Sequence, residues 1–269
     1  MCFIRRGVIL LCVSIFCMAD IGYSAFERQR IQALPWNTND LSLVSALANN
    51  PGRLQNMDRA VVASGYTRIF NQKALQSGYL YSALPLSFGT VGLGVDFFGN
   101  QEYAESQYMA GIARQWNENG AFGLLIRAFS LDISNYGNAN SLAIDAGTSW
   151  RITESLQWEL GYGNLTQSTI GRSKEPLPQQ IFSAVEYSPK DYLSTRLSVV
   201  HDLRYPVRYR AGVGYAPFTW IEFAALLSTE PVRAQIGTTI TWKMIHVQYT
   251  ATIHSVLPVT HRFGLLFGF

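Results

Sequence analysis

The side chains able to do chemistry are few and scattered. Four histidines stand at His201, His246, His254 and His261. His201 precedes Asp202 and His254 precedes Ser255, the two local pairings that a base with an orienting acid, or a base with a nucleophile, would need. Neighbours on a strand point to opposite faces, so His201 and Asp202 cannot form a dyad within one strand. His246 and His254 share a face but stand about 26 Å apart at the rise of a strand. No nucleophile motif and no metal-ligand spacing connects any of these residues. The three cysteines, Cys2, Cys12 and Cys17, lie at the very front, so the rest of the chain has no disulfide, thiol nucleophile or cysteine metal site. These residues predict a protein that is not an enzyme and uses no cofactor or metal.

What remains chemically is charge, and its placement is informative. Charged residues make up 14% of the chain and aromatics 13%, with mean hydropathy near zero. The charges share one parity of a period-two pattern: Asp96, Arg127, Asp145, Arg151, Glu159, Glu186, Arg196, Arg208, Arg210, Glu222, Arg233, Lys243 and His246. The opposite parity is apolar, as in Val91, Leu93, Val95 and Phe97, or Phe122, Leu124 and Ile126, or Leu156, Trp158, Leu160 and Tyr162. A charge on the lipid side of a membrane strand costs about 2–4 kcal/mol near the midplane. Segregation of this kind therefore predicts lipid on one face and a polar interior on the other. A soluble β-sandwich would alternate too, with its apolar face inward.

The elements that must hold these side chains are short strands separated by turn residues. They read 60–70, 77–85, 89–98, 102–115, 120–133, 140–152, 155–167, 179–188, 193–203, 207–216, 219–228, 232–243, 245–255 and 259–269. That is fourteen, and an even number lets both ends of a single-chain barrel meet on one side. The final segment puts Phe263, Leu265, Phe267 and Phe269 on one face and Arg262, Gly264, Leu266 and Gly268 on the other. The fold class predicted is all-β, an antiparallel transmembrane β-barrel of about 14 strands. Aromatics such as Trp150, Tyr162, Tyr209, Tyr215, Trp220 and Trp242 fall near strand ends, where interfacial girdles sit. Turns near 86–88, 117–119, 153–154, 189–192, 217–218 and 244 are short, whereas 133–140 and 166–179 are longer, which predicts periplasmic turns opposite outward loops.

Two segments precede the strands. Arg5 and Arg6, the apolar run Gly7 to Ala19, and small Gly22 and Ser24 have the order of a secretory signal cut after Ser24. Removing Arg5, Arg6 and Asp20 changes the net charge from +3 to +2, with 19 basic residues against 17 acidic ones. Such a balance gives no basis for nucleic-acid binding. Residues 25–59 do not alternate, and Asn39 with Asp40 could cap a short helix over Leu41 to Ala48, ended by Asn49, Asn50 and Pro51. Glycines crowd the inward parity, among them Gly92, Gly94, Gly123, Gly147, Gly161, Gly264 and Gly268. A glycine there admits another backbone. The reading is a hatch inside the lumen, with Asp40, Asn49, Asn50 and Pro51 as its marker residues. The domain division is then signal 1–24, hatch 25–59 and barrel 60–269.

Several stretches together resemble a known group. Asp40 to Leu54, DLSLVSALANNPGRL, is similar to the N-terminal segment of PorV/PorQ-type outer-membrane barrels, relatives of the FadL channels. FGTVGLGVDFFG (Phe88 to Gly99), LQWELGYGNLT (Leu156 to Thr166) and the closing LPVTHRFGLLFGF follow that group's order, with Gly52 in place of the usual alanine after Asn-Pro. The resemblance implies a fourteen-stranded, hatch-bearing barrel in the outer membrane of a Gram-negative bacterium. It implies a PorV/PorQ-type accessory of type IX-like secretion or surface presentation; the alternative is FadL-like passage of hydrophobic small molecules through a wall opening. The partners expected are outer-membrane lipid, the barrel assembly machinery reading Phe263, Leu265, Phe267 and Phe269, and either secreted proteins or a hydrophobic ligand. The lumen-lining set expected is Asp96, Arg127, Asp145, Glu159, Glu186, Arg196, Arg208, Arg210, Glu222 and Arg233.

Overall fold

Alternation of apolar and polar residues from residue 61 onward builds antiparallel strands whose two faces meet different surroundings. The computed structural model describes Phe26 and residues 44–269. The predicted signal, Asp40 and the start of the predicted helix lie outside the described residues. The strands are β1 (Val61–Arg68), β2 (Gln76–Leu86), β3 (Gly89–Gly99), β4 (Tyr103–Gln115), β5 (Gly120–Ile133), β6 (Gly137–Arg151), β7 (Leu156–Gly163), β8 (Thr169–Ile170), β9 (Glu175–Pro176), β10 (Gln180–Lys190), β11 (Leu193–Asp202), β12 (Arg208–Phe218), β13 (Ile221–Ser228), β14 (Arg233–Trp242), β15 (Ile245–His254) and β16 (Thr260–Gly268). Fourteen of them close into one antiparallel barrel, while β8 and β9 form a separate two-stranded ribbon.

Closure is made by β1 against β16, in register from Val61 opposite Gly268 to Arg68 opposite His261. The Phe269 amide adds a further bond to the Ala60 carbonyl at 2.8 Å. Pairing of β1 with β16 removes the two terminal sheet edges, which a barrel in lipid requires. The ladder shifts register in two places, between Tyr187 and Lys190 of β10 and between Tyr215 and Phe218 of β12. Pro189 and Pro217 lie inside those steps and lack the N–H that a regular ladder uses.

The outward face is predominantly apolar: Leu93, Phe97, Tyr108, Phe122, Ile126, Leu142, Leu197, Tyr209, Leu227, Ile236 and Phe263 are all exposed. The inward face buries Asp96, Glu105, Gln107, Arg127, Asp145, Glu159, Glu186 and Arg196. Three expected details differ. Lys243 does not face inward; it is an exposed turn residue with φ of 54° between β14 and β15. The strand expected over 155–167 stops at Gly163, because the chain turns at Asn164, which has positive φ. The long connection over 164–179 is not plain loop, since it contains the β8–β9 ribbon.

Residues 44–59 run into the lumen. A helical turn ends in a 3-10 segment at Ala46–Ala48, followed by a second 3-10 segment, Pro51–Asn56. Proline at its first position suits a helical start whose N–H would be unsatisfied anyway. Val44, Leu47 and Leu54 of this hatch pack with Val61, Ala63, Tyr81, Met109, Leu125 and Leu266 of the wall in one buried cluster.

Candidate functional site

The hatch meets the wall across unusually little distance. A β-carbon on Gly52 would lie 2.7 Å from the Gly147 carbonyl oxygen, and one on Gly123 would lie 2.5 Å from the Gly52 nitrogen. Leu47 and Leu54 fill the space over Gly92. The structure places Gly264 against Tyr79 and Gln248, and Gly268 against the Arg59 side chain. Of those two, only Gly268 meets the hatch segment.

Close approach brings buried charges together. Arg53, next to the hatch proline turn, reaches Glu186 Oε2 at 3.0 Å and Glu159 Oε1 at 3.4 Å. Arg196 of β11 grips the same two carboxylates at 2.8 and 2.6 Å. Asn50 donates to Glu159 Oε2 at 3.3 Å and to the Thr148 carbonyl at 3.1 Å, while its own oxygen accepts from the Gly52 N–H. Two acids and two bases therefore neutralise each other out of water, a geometry in which losing one member leaves an uncompensated buried charge. A second unit lies beside it. Arg127 pairs with Asp145 and also donates to the Ala48 carbonyl of the hatch and, at 3.1 Å, to Gln107. Asp96 accepts from the Tyr81 hydroxyl.

Six of the predicted lumen residues, Asp96, Arg127, Asp145, Glu159, Glu186 and Arg196, are buried inside the barrel. Arg210 is half-buried and lines a small cavity with Arg127, Asp145, Gln180 and Phe182. Arg208, Glu222 and Arg233 are half-buried on β12, β13 and β14, apart from the ion-pair cluster; Arg208 donates to the Glu230 carbonyl. Of the predicted hatch markers, Asn50 enters the network, Pro51 starts the turn, and Asn49 presents its carbonyl to Gly161. Arg53 was not predicted, although its place two residues after Pro51 was a usable signal. Arg151 is exposed and lines a polar recess of about 260 Å³ with Gln55, Asp58, Glu118 and Gln157.

The wall is uneven. β6 pairs with β5 from Gly137 to Trp150, but with β7 only from Ala146 to Arg151. From Gly137 to Asp145 its other edge meets the connection over 164–179, with the β8–β9 ribbon, instead of a barrel strand. Leu142, 65% exposed, and Ile144 point outward along this stretch, so the free edge runs inside the apolar band. The connection reaches that stretch of β6 through one backbone bond and two side-chain bonds. Leu165 donates to the Ile144 carbonyl at 2.8 Å, Ser141 donates to the Thr169 carbonyl at 2.7 Å, and the Asn164 amide donates to Asp145 Oδ1 at 2.7 Å. The Asn164 side chain braces the connection internally, accepting from Ser168 and donating to the Leu177 carbonyl. Behind it lies an apolar cluster of Phe26, Phe129, Ala143, Ile170 and Leu177, with Leu131 and Ala139 beside it.

Three of the histidines bond separate neighbours. His246 bonds Thr241, His254 bonds Thr260 and His261 bonds Tyr249. Among the described residues no group of three or more His, Cys, Asp or Glu is placed to hold a metal ion.

A closed fourteen-stranded antiparallel barrel with an apolar outer face and a hatch segment in its lumen is the architecture of a transmembrane β-barrel. Solved structures share that fold at low sequence identity. The CymD monoaromatic hydrocarbon channel matches with a TM-score of 0.59 at 10% identity, over 84% of this chain and 93% of its own. The P. putida toluene transporter TodX matches with a TM-score of 0.60 at 10% identity, over 84% and 94%. The TodX deltaS2S3 mutant, a monoaromatic hydrocarbon channel, matches with a TM-score of 0.57 at 9% identity, over 86% and 94%. No protein-family model and no curated sequence matches the chain.

Proposed function

We propose that this protein is an outer-membrane channel that passes small hydrophobic molecules, entering at the loop end of the barrel and leaving sideways through its wall. One observation carries the reading: the edge of β6 from Gly137 to Asp145 has no strand partner on one side, and an apolar cluster lies directly behind the connection that covers it. A hydrophobic molecule has little to gain from the straight path, which the ion pairs of Arg53 and Arg127 obstruct. The named activities of CymD and TodX, hydrocarbon channel and toluene transporter, support this substrate class. The predicted signal 1–24 and hatch 25–59 belong to the same proposal, as does residence in the outer membrane of a Gram-negative bacterium.

The test is uptake of toluene into cells or liposomes carrying the barrel. Uptake above empty membranes is expected, and it should fall when the 164–179 connection is tethered to β6. Equal uptake with and without the barrel overturns the reading.

The tightly sealed contact between hatch and wall favours a second reading, the secretion-accessory role that the PorV/PorQ resemblance implies. There the lumen stays closed and the rim loops engage exported proteins. Pull-down from native membranes separates the two: secreted proteins or secretion components captured without any toluene flux would replace the channel reading.

A further inference from the structure

Where the hatch meets β7, β10 and β11, acids and bases match each other, and Arg210 is left over. Glu159 and Glu186 face Arg53 and Arg196, two acids against two bases. Asp145 is held by Arg127 and by the Asn164 N–H. Asp202, at the end of β11, is held by Arg204 and by the Gln180 amide. Among the described residues Arg210 has no hydrogen bond and no acid partner. Its neighbours add positive charge. Arg208 stands two residues away on the same face of β12, and Arg196 is two residues from Ser198, which lies opposite Arg210. On the other side Arg210 lies opposite Ser228 of β13. Glu222 is six residues from that point, or about 20 Å along a strand.

Beside Arg210 is a cavity of about 20 Å³, lined by Ala48 and Asn49 of the hatch and by Arg127, Asp145, Phe182 and Arg210 of the wall. A volume of this size takes one water-sized particle. The side-chain amide of Asn49 is also without a partner among the described residues. The cavity therefore joins two unmatched donor groups, one on the hatch and one on β12. Arg127 and Asp145 cancel, so its lining carries one net positive charge. Low-dielectric walls around charge of one sign concentrate counter-ions. We infer that this cavity is a binding site for one small monovalent anion of halide size, bridging Asn49 of the hatch and Arg210 of the wall. The single unmatched cation sets the charge, and the volume sets the size: a sulfate or phosphate, with four oxygens, exceeds it. Asp145 does not oppose the ion, because Arg127 already neutralises it. The bound anion ties the hatch to β12, a strand that the ion pairs of Arg53 and Arg127 do not reach. The inference goes beyond the channel reading and stands whether or not hydrophobic molecules pass.

The experiment uses the full chain purified in detergent, its fold checked by heat-modifiable gel mobility. The probes are sodium bromide, sodium chloride and, at equal ionic strength, sodium gluconate, whose anion is too large for the cavity. Crystals grown in bromide are expected to show anomalous bromine density against the Arg210 guanidinium. Chloride in place of gluconate should raise the thermal midpoint of the parent by about 2–4 °C, as binding of one ion to the folded state does for a chain of this size. It should also slow amide hydrogen exchange over residues 44–56. Arg210→Gln, which keeps an amide but no charge, should lose both responses. Asn49→Ala, which removes one hydrogen bond, should weaken the apparent chloride affinity by about three- to tenfold. The bromine map needs no variant, so the inference stays testable if Arg210→Gln does not fold. It is overturned by the absence of bromine density at Arg210, by chloride responses in Arg210→Gln equal to those of the parent, by exchange over 44–56 that ignores the anion, or by unchanged chloride affinity in Asn49→Ala.

Discussion

Gly52 of the hatch and Gly147 of β6 touch backbone to backbone: a β-carbon on Gly52 would sit 2.7 Å from the Gly147 carbonyl oxygen. Side-chain atoms can rotate away from a clash of this kind, but backbone atoms of a barrel wall cannot. Gly52→Ala should therefore lift the hatch from the wall, at the cost of about 1–3 kcal/mol typical of overpacking. In planar bilayers the variant is expected to conduct more than the parent, and deletion of residues 26–50 more again. Unchanged conductance in both would mean that the hatch does not obstruct the lumen.

Arg53 holds the hatch electrostatically. Arg53→Met leaves Glu159 and Glu186 sharing Arg196 alone, out of water. Breaking a buried pair in this way costs about 3–5 kcal/mol. Thermal unfolding in detergent should drop accordingly, and adding Glu186→Gln should recover part of the loss by restoring charge balance. A double variant no more stable than the single one would show that packing, rather than charge, dominates the contact.

Ser141 of β6 lies against the Thr169 carbonyl, which makes this pair a handle on the wall. The chain after Cys17 has no native cysteine. Ser141→Cys with Thr169→Cys, joined by a short thiol-reactive cross-linker, should tether the connection and reduce toluene uptake, leaving ion conductance unaltered. Asn164→Ala, which removes the internal brace, should raise uptake instead. Uptake indifferent to both changes would place the exit elsewhere.

Phe269 is exposed on the lipid side while its amide bonds the Ala60 carbonyl. Removing it should impair membrane insertion in cells without altering binding by protein refolded in detergent. The measurement is the folded fraction in membranes by heat-modifiable mobility, and full insertion of the truncated chain would dismiss Phe269 as an assembly determinant.

Much of this was legible in the residues alone. Strand parity depends on local geometry, because side chains alternate every residue, so the inward set from Asp96 to Arg196 and the lipid face from Leu93 to Phe267 follow directly from spacing. An even strand count and an apolar closing strand likewise need no knowledge of distant contacts. Lys243 was misassigned because parity says nothing about where a strand stops, and a positive φ at the turn removed it from the face.

Only the tertiary structure decided which charges meet. Arg53 is more than a hundred residues from both Glu159 and Glu186. Such pairings depend on barrel closure and on the path of the hatch, which no local pattern encodes. The incomplete edge of β6 was hidden for the same reason. Strand length can be read from alternation, but whether a neighbour is equally long depends on how strands stagger around a closed wall. Sequence therefore determined what faces lipid and what faces inward, because burial preference is a property of each residue. Tertiary structure determined which buried groups are partners and where the wall is thin, because those are properties of pairs.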